Sequence, residues 1–124
     1  MKKPPSKLPP LKRLRNKADS LLTPIIIKKY PRCLLCSMPT QVAHHYIKKS
    51  ESNRLRHELD NLINLCSNCH IALHCHETIY SNRIVKIKGQ DWHDNLIHLK
   101  QEYCKTDRFY YEEVIERLSK ELNK

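Results

Sequence analysis

Between Cys33 and His74 the chain carries Cys33-Leu34-Leu35-Cys36, then His44-His45, then Asn61, then Cys66-Ser67-Asn68-Cys69-His70, and finally His74. A Cys-x-x-Cys spacing wraps two thiolates around one ion, and two such pairs make the closed tetrahedral sulfur site of a structural zinc. His70 and His74 stand four residues apart, so a helix would offer both imidazoles to one metal from the same face. His44 and His45 are adjacent. In a strand, consecutive side chains point to opposite faces, so one of the two can complete the metal site while the other stays free for proton transfer. An imidazole suits that second task because a useful fraction is free base near neutral pH. The residues are thus those of two separate metal sites, one all-sulfur and one all-imidazole, and they suggest a metal-dependent phosphodiesterase site built around a structural zinc. His76 competes with His74, but six residues beyond His70 it leaves the helical face.

The bulk properties narrow the partners. With 124 residues, 40% of them hydrophobic and only 6% aromatic, the chain has room for a single small domain that a metal staple would help to hold. Lys and Arg number 23 against 13 Asp and Glu, a formal net charge of +10, which favours a polyanion such as nucleic acid. No membrane partner is expected, since Ile25-Ile26-Ile27 with Leu21 and Leu22 falls far short of the roughly 20 apolar residues of a bilayer span. A Lys- and Pro-rich beginning without an apolar core points to a cytoplasmic, intracellular protein. In that reducing compartment six cysteines serve metal or packing rather than disulfides. The 29 residues from Ser37 to Leu65 exceed the roughly 15 to 20 of a simple zinc ribbon, so something is housed in the gap.

The elements that must position these residues follow from pattern. Residues 1–10 hold four of the seven prolines and read as a disordered basic arm. Leu11, Leu14, Ala18, Leu21 and Leu22 form a helical stripe, and Thr23-Pro24 predicts a kink or a second short helix through Ile25 to Tyr30. Gln41 to Ile47 suits a short strand, Lys48 to Glu58 a charged loop, and Leu62 to Leu65 a returning strand. A helix should begin at Ser67, capped by Ser67 or Asn68. Beyond it, Asp91-Trp92-His93 through Tyr103 predict an amphipathic helix, and Val114, Ile115, Leu118 and Leu122 a last one starting near Thr106-Asp107. Cys75 and Cys104 are expected to be packing residues, and His57 to lie on the surface.

The ordered set Cys-x-x-Cys, His-His, Asn, Cys-x-x-Cys-His, x-x-x-His resembles the HNH endonucleases. Arg54-Leu55-Arg56 and Asp60-Asn61-Leu62, followed by Leu65-Cys66, are similar to the small phage-type members, among them the recombination-enhancement nucleases. The resemblance covers about residues 31–76. It implies an α+β fold, a small zinc-stapled, treble-clef-like ββα-metal core at about 31–78, with flanking helices at 11–30 and 90–123 of one nuclease domain spanning 11–124. It further implies a one-metal hydrolysis of phosphodiester bonds in DNA, leaving 5′-phosphate and 3′-hydroxyl ends. On this reading His44, His70 and His74 bind the catalytic ion and His45 is the general base. Asn61 orients that base or pins the loop through backbone hydrogen bonds. Many relatives have Asp where His44 stands. The resemblance leaves Mg²⁺, Mn²⁺, Ni²⁺ and Zn²⁺ as candidates for the catalytic ion, and an all-nitrogen site leans toward the transition metals zinc, nickel and manganese.

Lys48, Lys49, Arg54 and Arg56 fall in the expected loop between the strands, where each is either a clamp on the phosphate backbone or a solvated loop charge. A non-catalytic zinc-dependent nucleic-acid-binding module would explain the charge and the four cysteines, but not the histidines and Asn61. A structural adaptor would not need a surface this basic.

Overall fold

The first helix depends on what it packs against. In this computed structural model, which describes residues 10–124, α1 runs from Pro10 to Lys29 without a break at Pro24. The basic arm expected over residues 1–10 lies, but for Pro10, outside the described residues. The second short helix expected after Thr23 does not form. An interior proline forfeits one backbone hydrogen bond and costs about 3 kcal/mol. The turns on both sides of it, however, bury Ala18, Leu22, Ile25 and Ile26 against Val114 and Leu118 of the last helix and against Leu62. Each such aliphatic side chain contributes about 1.5 to 3 kcal/mol on burial, so packing outweighs the missing bond.

The described residues form a mixed α and β structure, mostly helical, with one two-stranded sheet. After α1 come β1 (Val42–His45), α2 (Asn53–Arg56), a 3₁₀ turn (Leu59–Asn61), β2 (Leu62–Leu65), α3 (Ser67–Cys75), α4 (Glu77–Lys88), α5 (Gln90–Lys100) and α6 (Arg108–Leu122). The strands pair antiparallel, with Val42 opposite Leu65 and His45 opposite Leu62. Alternation then divides the sheet. Ala43, His45 and Leu62 share the face toward α1, and His44, Ile63 and Leu65 the other. That second face meets Cys33, Cys66, Leu73 and Ile84 in a separate apolar cluster beneath α3 and α4. Among the described residues no helix is long and apolar enough to cross a membrane.

Several local expectations are corrected. The charged loop holds α2, because Ser52 Oγ accepts the Leu55 N–H and caps it. The cap of α3 is Cys66, whose Sγ accepts from the Cys69 N–H at 3.4 Å, and not Ser67 or Asn68. Cys75 is exposed rather than packed, and Tyr103 lies beyond α5, 87% exposed. The last helix starts as its cap predicts, with Asp107 accepting from the Tyr110 N–H.

His57 departs furthest from expectation. Instead of lying on the surface it is 1% exposed, and its Nε2 donates to Asp19 Oδ1 of α1 at 2.7 Å. The neighbouring Arg56 grips the same carboxylate through Nε and a terminal nitrogen, at 3.0 and 2.7 Å. Burial opposes ionisation of Asp19, but the hydrogen bonds from His57 and Arg56 override it and hold this carboxyl well below the usual range. A depressed carboxyl pKa adds stability that is present above its unfolded value, 3.8, and is lost as pH falls through the folded one. Asp19→Asn should therefore cost about 1.5 to 3 kcal/mol at neutral pH, the range for hydrogen bonds to charged groups. It should also flatten the stability profile below about pH 4. Urea melts of both proteins from pH 2 to 7 check this, and parallel profiles would refute it.

Candidate functional site

Two clusters of ligand-type side chains meet at α3. The first is sulfur. Cys33 and Cys36 come from a turn ahead of β1, closed by Ser37 N–H to Cys33 O at 3.0 Å, with Ser37 at φ 66. Cys66 and Cys69 come from the junction of β2 and α3. The four Sγ atoms lie within 4.8 Å of one another, and Cys36 and Cys66 are 3.5 Å apart. A tetrahedral ion with metal–sulfur bonds of about 2.3 Å sets sulfurs about 3.8 Å apart, so this spacing suits one.

Protonation points the same way. Burial works against a Cys33 thiolate, but hydrogen bonds from the surrounding backbone prevail and bring its pKa down to about 7. Cys69 is pushed well above the ordinary thiol range, by burial and then by the neighbouring thiols. Without a cation one thiolate forms and discourages the next. Four thiolates at this distance need a positive centre, and all six cysteines are free. The cluster can hold a structural metal such as zinc.

The second cluster is imidazole. His44 projects from the α3 face of β1, while His70 and His74 sit one turn apart on α3, with ring centroids 5.3 and 5.9 Å from that of His44. The Nε2 atoms of His70 and His74 are 3.1 Å apart, and one ring nitrogen from each of the three lies within 4.8 Å of the others. Nitrogen ligands about 2.0 to 2.1 Å from a divalent ion sit roughly 3.0 to 3.4 Å apart, so the two helical imidazoles already have a suitable separation. Burial, reinforced by the charges of His70 and His74, lowers the His44 pKa to about 4, and burial followed by His74 lowers that of His70. At neutral pH both rings keep the lone pair a cation requires. His76, at the junction of α3 and α4, is not part of the cluster.

His45 belongs to the opposite strand face. Its Nε2 lies 2.9 Å from the Arg56 carbonyl oxygen. A carbonyl only accepts, so Nε2 carries the hydrogen and Nδ1 keeps the lone pair of the neutral ring. Burial lowers the pKa of His45 against the raising effect of that bond, which favours the neutral form. His44, His45, His70 and His74 all line one cleft of about 370 Å³, together with Ala43, Lys48, Lys49 and Glu77.

Asn61 is buried and does not line the cleft. Its Oδ1 accepts the Ile47 N–H at 2.8 Å, and its Nδ2 donates to Ile47 O at 3.0 Å and Leu55 O at 3.3 Å, while its own carbonyl accepts from Tyr46. These bonds tie down the backbone just after His45 and the carbonyl one residue ahead of Arg56. Asn61 thus fixes both His45 and the acceptor that orients it.

The four basic residues separate. Lys48 and Lys49 are exposed at the cleft, with Lys48 3.7 Å from Glu77. Arg54 instead pairs with Glu58 at 2.9 Å and Glu102 at 3.1 Å, and Arg56 with Asp19. Glu77 was not foreseen from the sequence pattern, although it stands three residues after His74, where a continuing helix would present it beside that ring. Nor was the role of Asp19, since nothing local links it to residues 37 and 38 positions downstream. Comparison with protein-family models, with curated proteins and with solved structures found no match for this chain.

Proposed function

We propose that the chain is a metal-dependent HNH-type endonuclease that hydrolyses phosphodiester bonds in DNA, built on a zinc-stapled, treble-clef-like ββα-metal core. The observation that carries this reading is the cleft itself, where three imidazoles converge next to a fourth histidine held by one nitrogen and two exposed lysines. His44, His70 and His74 would hold the catalytic divalent ion. When bound, that ion would polarise the scissile phosphate and stabilise charge on the departing 3′ oxygen.

The remaining steps belong to the chain. His45 takes the proton of the attacking water at Nδ1, because Nε2 is committed to the Arg56 carbonyl. The charge that develops on the ring is shared with that carbonyl, which accepts a stronger hydrogen bond from an imidazolium. Asn61 keeps the two in register through its backbone hydrogen bonds. Lys48 and Lys49 draw the phosphate backbone to the cleft mouth. Arg54 and Arg56 already have carboxylate partners and brace the loop behind it.

Cleavage of supercoiled plasmid and of a branched duplex, across Mg²⁺, Mn²⁺, Ni²⁺ and Zn²⁺ with and without chelator, tests the reading. Cutting that requires an added ion supports it. A chain that binds DNA and cuts no substrate with any of these ions is a zinc-dependent nucleic-acid-binding module instead. For binding, Lys48→Gln with Lys49→Gln should reduce the salt dependence of DNA affinity, by about 0.9 in log–log slope for each phosphate no longer neutralised. Gel-shift titrations from low to moderate salt measure that slope, and an unchanged value would place the DNA-binding surface elsewhere.

A further inference from the structure

We infer that the hollow between α1 and the chain entering α6 is an oxyanion site that takes a phosphate group. It encloses about 350 Å³ and is lined by Leu11, Lys12, Arg15, Thr106 and Tyr111. Lys12 and Arg15, three residues apart on α1, present two cations from one helix face. Thr106 and Tyr111 add two hydroxyls, and among the described residues no carboxylate lines the hollow.

One of these donors is orphaned. Arg15 Nε is enclosed and has no hydrogen-bond partner among the described residues. The carboxylate one turn along, Asp19, is taken by Arg56 and His57. Asp107, beside Thr106, caps α6 through the Tyr110 N–H and faces Lys105 at 3.9 Å. A buried guanidinium N–H without an acceptor is costly, and an anion in the hollow would satisfy it. A planar guanidinium, an ammonium and two hydroxyls match a group with three or four acceptor oxygens better than the two of a carboxylate. Phosphate is the anion of that description, whether free, as a phosphomonoester, or in the backbone of a nucleic acid.

The site stands apart from the histidine cleft, with which it shares no lining residue. Its test is binding, so it succeeds or fails independently of cleavage. In ¹⁵N-labelled full-length protein, the Arg15 Nε–H resonance is identified by its absence in Arg15→Lys. It is then followed during titration with sodium phosphate at constant ionic strength, with chloride as the control. A saturable shift with phosphate and none with chloride is expected, weakened several-fold in Lys12→Gln and in Thr106→Val. A short DNA duplex that produces the same shift at lower concentration makes the occupant a backbone phosphate. A shift with phosphate but not duplex makes it a free phosphate or phosphomonoester. No saturable shift with either, or one that both variants leave unchanged, overturns the site.

Discussion

Replacing His45 with alanine is expected to slow DNA cleavage by about 10² to 10⁴-fold, the usual contribution of a positioned general base, while metal content, fold and DNA affinity stay at wild-type levels. The asymmetry rests on the strand. His45 reaches the shared cleft from the strand face opposite that of His44, and among the described residues its ring bonds a backbone carbonyl rather than another ligand. On the proposed function His44→Ala should instead lose metal binding at the imidazole cluster and cleavage together, since its ring is part of that cluster. Plasmid nicking, elemental analysis and gel shifts on the same preparations separate the two. The pH profile adds a sign. Burial depresses the pKa of His45, so the acid limb of the rate should fall below the ordinary histidine value of 6.5. A His45→Ala protein that cuts as fast as wild type would remove the base from the scheme.

Cys33→Ser should abolish tight zinc binding by the sulfur cluster and with it much of the stability. An ion present at a thousandfold its dissociation constant adds about 4 kcal/mol. In a chain of this size that loss lowers the melting temperature by roughly 15 °C. Cys75→Ser, at an exposed thiol outside the cluster, should change neither zinc content nor melting temperature. The comparison is made by elemental analysis and calorimetry. Unchanged zinc and unchanged melting in Cys33→Ser would mean the sulfur cluster is not a metal site.

What the sequence revealed, and what it hid, divides along the distance over which each interaction acts. Both Cys-x-x-Cys pairs and the His70, His74 spacing are local geometry, and the structure brings each set together. The Asp107 cap is local as well. The unbroken α1 was hidden because Pro24 argues for a break, and only the face offered by α6 and Leu62 overrides it. Helix α4 was hidden by weak periodicity, with Ile84 buried while Ile79 and Ile87 are exposed. The burial of His57 and the engagement of Arg56 depend on Asp19, which nothing nearby announces. Ser52 is the exception, a legible cap in front of Asn53 that the surrounding charge obscured.

Cys66 has two attachments. Its sulfur is one of the four in the thiol cluster and also the acceptor that caps α3, the helix bearing His70 and His74. One atom therefore joins the thiol cluster to the helix that carries the imidazoles. An ion held by the sulfurs would stiffen the start of the helix that presents the imidazoles, and by thermodynamic reciprocity an ion on the imidazoles would then tighten the hold of the sulfurs on theirs by the same factor. Removing zinc from the cysteines would then appear as weaker metal affinity at the histidines, with none of their ligand atoms altered.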